Sequence, residues 1–160
     1  MITAQVESLT EGLEEMKPLF PSHWEEVALN QDKVPLDPRY DVYLSRDAAG
    51  EILYVTLRDL GVLVGYFVGF VQPALHYKTC LTLQMDIFWL HPDFRDGDSL
   101  TAIEREMACM TLFETVKKAA VARGVKRAFY GSKSHKDASI VFAALGMVEV
   151  ERYYSAYWGA

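Results

Sequence analysis

One run, residues 78–107, limits the fold more than any other part of the chain. Residues 79–90 are apolar and rich in β-formers, long enough for one extended strand. Pro92 stops that strand, because proline has no amide to give to a ladder. A polar turn follows through Asp93, Arg95, Asp96, Gly97, Asp98 and Ser99. Leu100, Ile103, Met107, Met110, Phe113, Val116 and Ala120 then recur at steps of three or four, up to Gly124. This spacing predicts one amphipathic helix of about six turns, ended by the glycine. A strand that passes through a turn into a helix start is where α/β proteins hold phosphates on backbone amides.

The rest of the chain supplies elements to surround that unit. Residues 8–29 carry helical spacing, which Pro18 and Pro21 divide into two helices with a bend. Ser22 reads as N-cap of the second, with Glu25 completing a capping box. Residues 30–43, with Pro35 and Pro38, read as a loop with room for a short helical turn, placed to cover a cleft. Residues 52–57 and 62–71 make a hairpin across the turn 58–61, and 79–90 adds a third antiparallel strand. Gly65 and Gly69 inside a strand suggest a bulge or a close backbone approach. Residues 125–130 form a short strand, which the crossover helix makes parallel to 79–90. A last helix spans 136–145, closed by Gly146, and 148–158 is a final strand or hairpin arm. The expected fold is α/β: a mixed sheet with an antiparallel N-terminal meander, a central parallel pair and helices on both faces. We expect one domain over 1–160, with N-terminal helices and loop in 1–44 and the sheet and core in 45–158.

The balance of charge narrows the partners. The 160 residues carry a formal net charge of −6, which disfavours nucleic acid or an anionic membrane as partner. The basic residues Lys117, Lys118, Arg123, Lys126 and Arg127 read as a solvated helix end and the strand after it. Cys80 and Cys109 have apolar neighbours and no second ligand at metal spacing, so they read as small buried hydrophobes. The first residues lack the basic and apolar pattern of a signal peptide. The longest apolar run, 62–71, is too short to span a bilayer. A soluble protein of the cytoplasm is expected.

Two local motifs in this order resemble the GNAT superfamily of acyl-CoA-dependent N-acetyltransferases. The family's strand ends V-x-P-x-x-R and runs into R-x-x-G-x-G or R-x-x-G-x-A. Here Leu90-His91-Pro92-Asp93-Phe94-Arg95 matches the strand end, while Asp98 and Leu100 occupy the two glycine places. The family's second motif is N-x-x-A-x-x-F-Y-x-x-L-G-F. Ala138, Leu145 and Gly146 keep its register, with His135 in place of the Asn and Phe142 in place of the Tyr. The run Gly61-Val62-Leu63-Val64-Gly65-Tyr66 resembles a family strand as well. The resemblance covers about residues 45–158. Parts of the N-terminal region and residues 76–78 are similar to small GNAT-like proteins of tailed bacteriophages.

The resemblance implies an acetyl-CoA site and an amine acceptor, either a small molecule or a protein. Backbone at Phe88 and Leu90 would hold the acyl and pantetheine groups. Arg95, Asp96, Gly97, Asp98, Ser99 and Leu100 would hold the pyrophosphate, with His135, Ala138 and Phe142 on the facing element. Asp98 brings a carboxylate to a place that favours phosphate, and Asp98 or Ser99 could instead simply cap the helix. The family's leaving-group acid falls on Phe142, which has no proton to give, so Tyr130 or Tyr153 would have to replace it. The base of one branch falls on Gln84; Asp86, two residues on and on the same face, is the carboxylate candidate. Asp86 could equally be an acid paired with a basic neighbour, since a charge in an apolar strand needs a partner. His76, His91 and His135 are further titratable groups. Tyr153, Tyr154, Tyr157 and Trp158 read as a packed or interface strand, or as a substrate cage. No metal site is expected. The alternative function is a GNAT-fold binding or structural protein without catalysis, for example a virion component. Its partner would be a virion or host protein, or a second copy of the chain.

Overall fold

The computed structural model describes residues 1–159. Its sheet has five strands in the order β1-β2-β3-β4-β5: β1 Ile2–Glu7, β2 Ile52–Asp59, β3 Val62–Ala74, β4 Tyr77–Leu90 and β5 Arg127–Phe129. The first three pairings are antiparallel and β4–β5 is parallel, as the crossover required. The mixed sheet with helices on both faces is therefore present.

The meander forms because β2, β3 and β4 are joined by tight turns. Gly65 faces its neighbour strand so closely that a Cβ there would lie 2.9 Å from the Trp89 carbonyl oxygen. Between β3 and β4 the register slips: Val68 pairs with Ile87 but Gly69 pairs with Met85. Asp86 is the residue left without a partner, so it sits in a β-bulge.

Three sequence expectations fail at the N-terminus. Residues 2–7 form β1 on the outer edge of β2, where no strand was expected. The first helix, α1 Leu9–Met16, is capped by Ser8, whose Oγ accepts from the Glu11 amide. A 3-10 turn leads directly into α2 Phe20–Val27, so Ser22 lies inside the helix and caps nothing. The reason is Pro21: its missing N–H is harmless in a first turn, so the helix begins before it. Residues 40–48 form a third helix, α3 Tyr40–Ala48, which begins inside the stretch 30–43 expected to be a loop with a short helical turn. It is tied to α1 through Asp47 Oδ2, which accepts from the Thr10 amide at 2.9 Å and the Thr10 hydroxyl at 2.6 Å.

The long helix is α4 Ala102–Ala122, and α5 Ser139–Ala144 is short. The core face of α4 is the expected one from Phe113 through Val116 to Ala120, but not in the first half of the helix. Ala108, Leu112, Phe113, Val116 and Ala120 are buried, while Ile103 and Met107 are 70% and 62% exposed. This helix is apolar on more than one side, so spacing alone could not pick the buried stripe in that half. The sheet separates two cores. On one face α4 and Phe142 of α5 pack against Leu53, Val55, Phe67, Leu83 and Leu90. On the other, α1 and Phe20 of α2 pack against Tyr54, Tyr66, Val68 and Trp89, with Tyr40, Tyr43 and Leu44 of α3 at the margin.

Residues 148–158 form no strand. Their composition favours one, but a strand exists only where its backbone finds a ladder partner, and here it has none. Among the described residues, no helix is long and apolar enough to cross a membrane.

Candidate active site

The parallel pair β4–β5 defines the site. Its ladder covers only Thr82↔Arg127, Leu83↔Ala128 and Gln84↔Phe129. β4 then continues to Leu90 while β5 ends at Phe129, so the two strands part. Among the described residues, the edge of β4 that faced β5 has no strand partner over residues 85–90. Such an edge carries free amides and carbonyls.

Aromatic rings line one side of the gap. Phe88 lies 5.2 Å from Phe113 and 6.0 Å from Phe142, ring centre to ring centre. Tyr130 is 5.5 Å from Phe142 and 5.5 Å from Phe67. Burial pushes the Tyr130 phenol up to about 12, so it keeps its proton at neutral pH. Phe142, where the motif has tyrosine, is buried and works as a packing ring.

Asp86 lies on the other face. The Tyr43 hydroxyl of α3 donates to its Oδ2. Burial raises the Asp86 carboxyl above its ordinary value, and the Tyr43 bond offsets only part of that. Its partner is therefore a neutral phenol rather than a basic residue. Tyr43 stacks on Phe70 at 6.1 Å, which holds the phenol in place. The bulge aims Asp86 at this helix. Asp86 and Tyr130 thus stand on opposite faces of the sheet, near the place where the strands diverge.

The turn after β4 is closed on itself. The amides of Arg95, Asp96 and Gly97 all donate to the Pro92 carbonyl, at 3.0, 2.7 and 2.8 Å. Gly97 is required by packing, since a Cβ would lie 2.7 Å from the Asp93 Cα. Arg95 reaches back to α2: its Nη1 is 2.5 Å from Glu26 Oε2 and its Nε is 2.5 Å from Asp96 Oδ2. Asp96 also meets Lys136 Nζ at 3.5 Å, which ties the turn to the segment before α5. Arg105 of α4 donates to the carbonyls of Gly97 and Leu100.

α4 starts later than the motif suggested. Neither Asp98 nor Ser99 caps it. Thr101 does, accepting from the Glu104 amide at 3.2 Å while Glu104 Oε2 accepts from the Thr101 amide at 2.8 Å. The amides of Asp98, Ser99 and Leu100 are left without a protein acceptor among the described residues. Opposite them, Ala138 occupies the position before α5, its amide bonded to Ser132 Oγ at 2.7 Å. His135 is exposed in the turn bridged by Lys133 and Lys136.

Sequence reasoning missed several groups that shape this site. Tyr43 lay at the end of an expected loop. Glu26 and Arg105 carry no motif. His23 and Trp89 pack around Tyr66 at 5.8 Å each, beneath the N-terminal helices. The Trp89 Nε1 is buried with no hydrogen-bond partner among the described residues. Cys109 is pushed up to about 11 by burial, in keeping with a packing role. Among the described residues, no three His, Cys, Asp or Glu side chains gather as a metal-ligand set.

No protein-family model matches the sequence, and no curated protein matches it. Solved structures do. A ribosomal-protein-alanine N-acetyltransferase from Brucella melitensis biovar Abortus 2308 superposes with a TM-score of 0.70 at 16% identity, covering 100% of this chain and 99% of that one. A GCN5-related N-acetyltransferase from Ralstonia eutropha JMP134 gives 0.71 at 13% identity, over 99% and 100% of the two chains. The aminoglycoside N-acetyltransferase AAC(6')-Iy in complex with CoA gives 0.62 at 14% identity, over 100% of both. At these identities the likeness speaks for the architecture alone. With a meander, a parallel pair that parts, and neighbours that match over nearly their whole length, the chain has the fold of the GCN5-related N-acetyltransferases.

Proposed function

We propose that the chain is a cytoplasmic acetyltransferase that moves an acetyl group from acetyl-CoA to an amine on a small molecule or protein. The observation that carries this reading is the parting of β4 and β5 after Gln84 and Phe129. An extended arm bearing amides can lie along the open β4 edge as an added strand would. The residues fit the group there: Phe88 and Leu90 border the gap on β4, and Tyr130, Ala138 and Phe142 border it opposite. The phosphate end fits at the free amides of Asp98, Ser99 and Leu100. Bound acetyl-CoA would supply a thioester as acyl donor.

The chain's own groups then have two tasks. Asp86 takes the proton from the acceptor's ammonium. Its raised carboxyl suits this, because a base works best when its pKa lies nearer the working pH. Tyr43 holds Oδ2 and leaves Oδ1 for the acceptor. Tyr130, protonated at neutral pH, is the hydroxyl donor for the leaving group.

A second reading, a GNAT-fold binding or structural protein without turnover, has its own observation. Arg95 is engaged by Glu26 and Asp96, and three turn amides are spent on Pro92. A virion or host protein would then be the partner, in line with the phage resemblance.

Calorimetric titration with acetyl-CoA separates the two. We expect binding, tightened several-fold in Asp98→Gly because a carboxylate beside the phosphates is removed. Asp86→Asn should bind as well but lose about 10²–10⁴ in acetyl transfer to an amine. No heat and no thermal shift at millimolar ligand would overturn the acetyltransferase reading. Unchanged or weaker binding by Asp98→Gly would show that the turn is not the phosphate site.

A further inference from the structure

A chain of ion pairs crosses the end of β4 where the two strands have parted. Glu26 near the end of α2 holds Arg95 Nη1 at 2.5 Å, and Arg95 Nε holds Asp96 at 2.5 Å. Asp96 in turn meets Lys136 Nζ at 3.5 Å. The side chains come from α2, the turn after β4 and the segment before α5. They tie one layer of helices to the other, beside the turn whose Asp98, Ser99 and Leu100 amides are free. Both cations are thus spent on carboxylates of the chain itself. The links are unequal. Arg95 and Glu26 are 24% and 20% exposed, while Asp96 and Lys136 are 58% and 40% exposed. Water screens the Glu26 bond least, so Glu26 is the firm tie.

We infer, resting on the acetyl-CoA reading, that this chain of ion pairs is a latch: the phosphates of the incoming cofactor draw Arg95 and Lys136 away from Glu26 and Asp96, and so release α2 from the turn. A guanidinium fork pairs with phosphate as well as with carboxylate, and a phosphate brings more oxygens. The exchange replaces one ion pair by another, so half-buried Arg95 is never left unpaired. Glu26 also has a second partner at hand. Lys133 makes no ion pair among the described residues. Its charge is felt at His23 together with those of Glu26 and Arg95, which puts it in the same neighbourhood. The release of α2 reaches the face that carries Asp86. Phe20 of α2 stacks on Tyr40 of α3 at 6.1 Å, and Tyr43 of α3 holds the Asp86 carboxylate. Glu26 is accordingly a positioning residue, which acts on the cofactor through Arg95.

Calorimetry with CoA, joined to hydrogen exchange of α2, tests the latch. CoA should bind Glu26→Gln roughly tenfold more tightly than wild type, because Arg95 then has one charged bond fewer to give up. Glu26→Asp keeps the charge but shortens the arm, and it should tighten binding too. A carboxylate that only repelled phosphate from a distance would leave that variant like wild type. Amides of residues 20–27 should exchange faster once CoA is added to wild type, and should already be fast in free Glu26→Gln. Circular dichroism checks that both variants remain folded. If wild type binds CoA, unchanged or weaker binding by either variant overturns the latch alone. So does a wild-type α2 whose exchange CoA leaves unchanged or slows. No heat from wild type or from either variant overturns the acetyl-CoA reading, and the latch with it.

Discussion

His23 shows how burial turns one side chain into a pH-dependent contribution. It is buried with its Nδ1 2.8 Å from the Tyr66 hydroxyl. Desolvation pushes its imidazole down from 6.5 to about 4, so the folded protein holds it neutral. As pH falls past 6.5 the unfolded chain takes up a proton that the folded chain refuses until near 4. Stability is therefore full above 6.5 and is lost across that window. We expect unfolding free energy from urea titrations to drop by about 2 kcal/mol between pH 7.5 and 5. His23→Gln should be nearly flat over the same range; an equal drop in that variant would show the proton goes elsewhere. Glu7 falls in a different window. The Arg58 guanidinium holds its carboxyl down at about 2, from 4.5, so its contribution is lost only at lower pH.

The turn between β4 and α4 is where local sequence and long-range packing meet. Pro92, Gly97 and Thr101 each act locally: one stops the strand, one permits a close approach, one caps the helix. Gly97→Ala should force the turn open, because its Cβ would meet the Asp93 Cα at 2.7 Å. The backbone conformation there is not a left-handed one, so the penalty is steric. We expect a loss of about 1–3 kcal/mol in thermal or chemical unfolding. A neutral result would mean the turn yields without resistance and is looser than its three bonds to Pro92 imply. The turn's long-range ties lie elsewhere in the chain. Arg95 is fixed by Glu26 on α2, and Asp96 by Lys136 ahead of α5, so the turn joins both layers of helices.

Across the molecule, the sheet carries two cores that share one set of strands. Phe67 on β3 is fully buried and touches both Phe113 of α4 and Tyr130 beyond β5. Phe67→Ala should cost about 3–5 kcal/mol in denaturant unfolding. Under the proposed function it should also loosen Tyr130, so that acetyl transfer would fall further than stability alone explains. A loss under about 1 kcal/mol would show that the cavity collapses and that the core on the α4 face is loosely packed.

The order of β2, β3, β4, α4, β5 and α5 was legible in the chain because each element carries its own local signal. Alternation, the Pro92 stop, and the glycines after α4 and α5 act over a few residues; Gly124 and Gly146 do adopt the left-handed φ of 85° and 78° that ends a helix. Asp86 could be picked out as an acid in an apolar strand that needs a partner. That its partner is Tyr43 could not, because the pair is separated by 43 residues and meets only through a bulge and a helix that begins inside an expected loop. The same holds for β1, which exists only because β2 offers an edge, and for the side of α4 that is buried in its first half. Residues 148–158 show the converse, a strand pattern with no ladder in this chain. Local pattern sets what a segment is able to become. Tertiary structure decides which edge, face or charge it meets, because burial and pairing depend on residues far away in sequence.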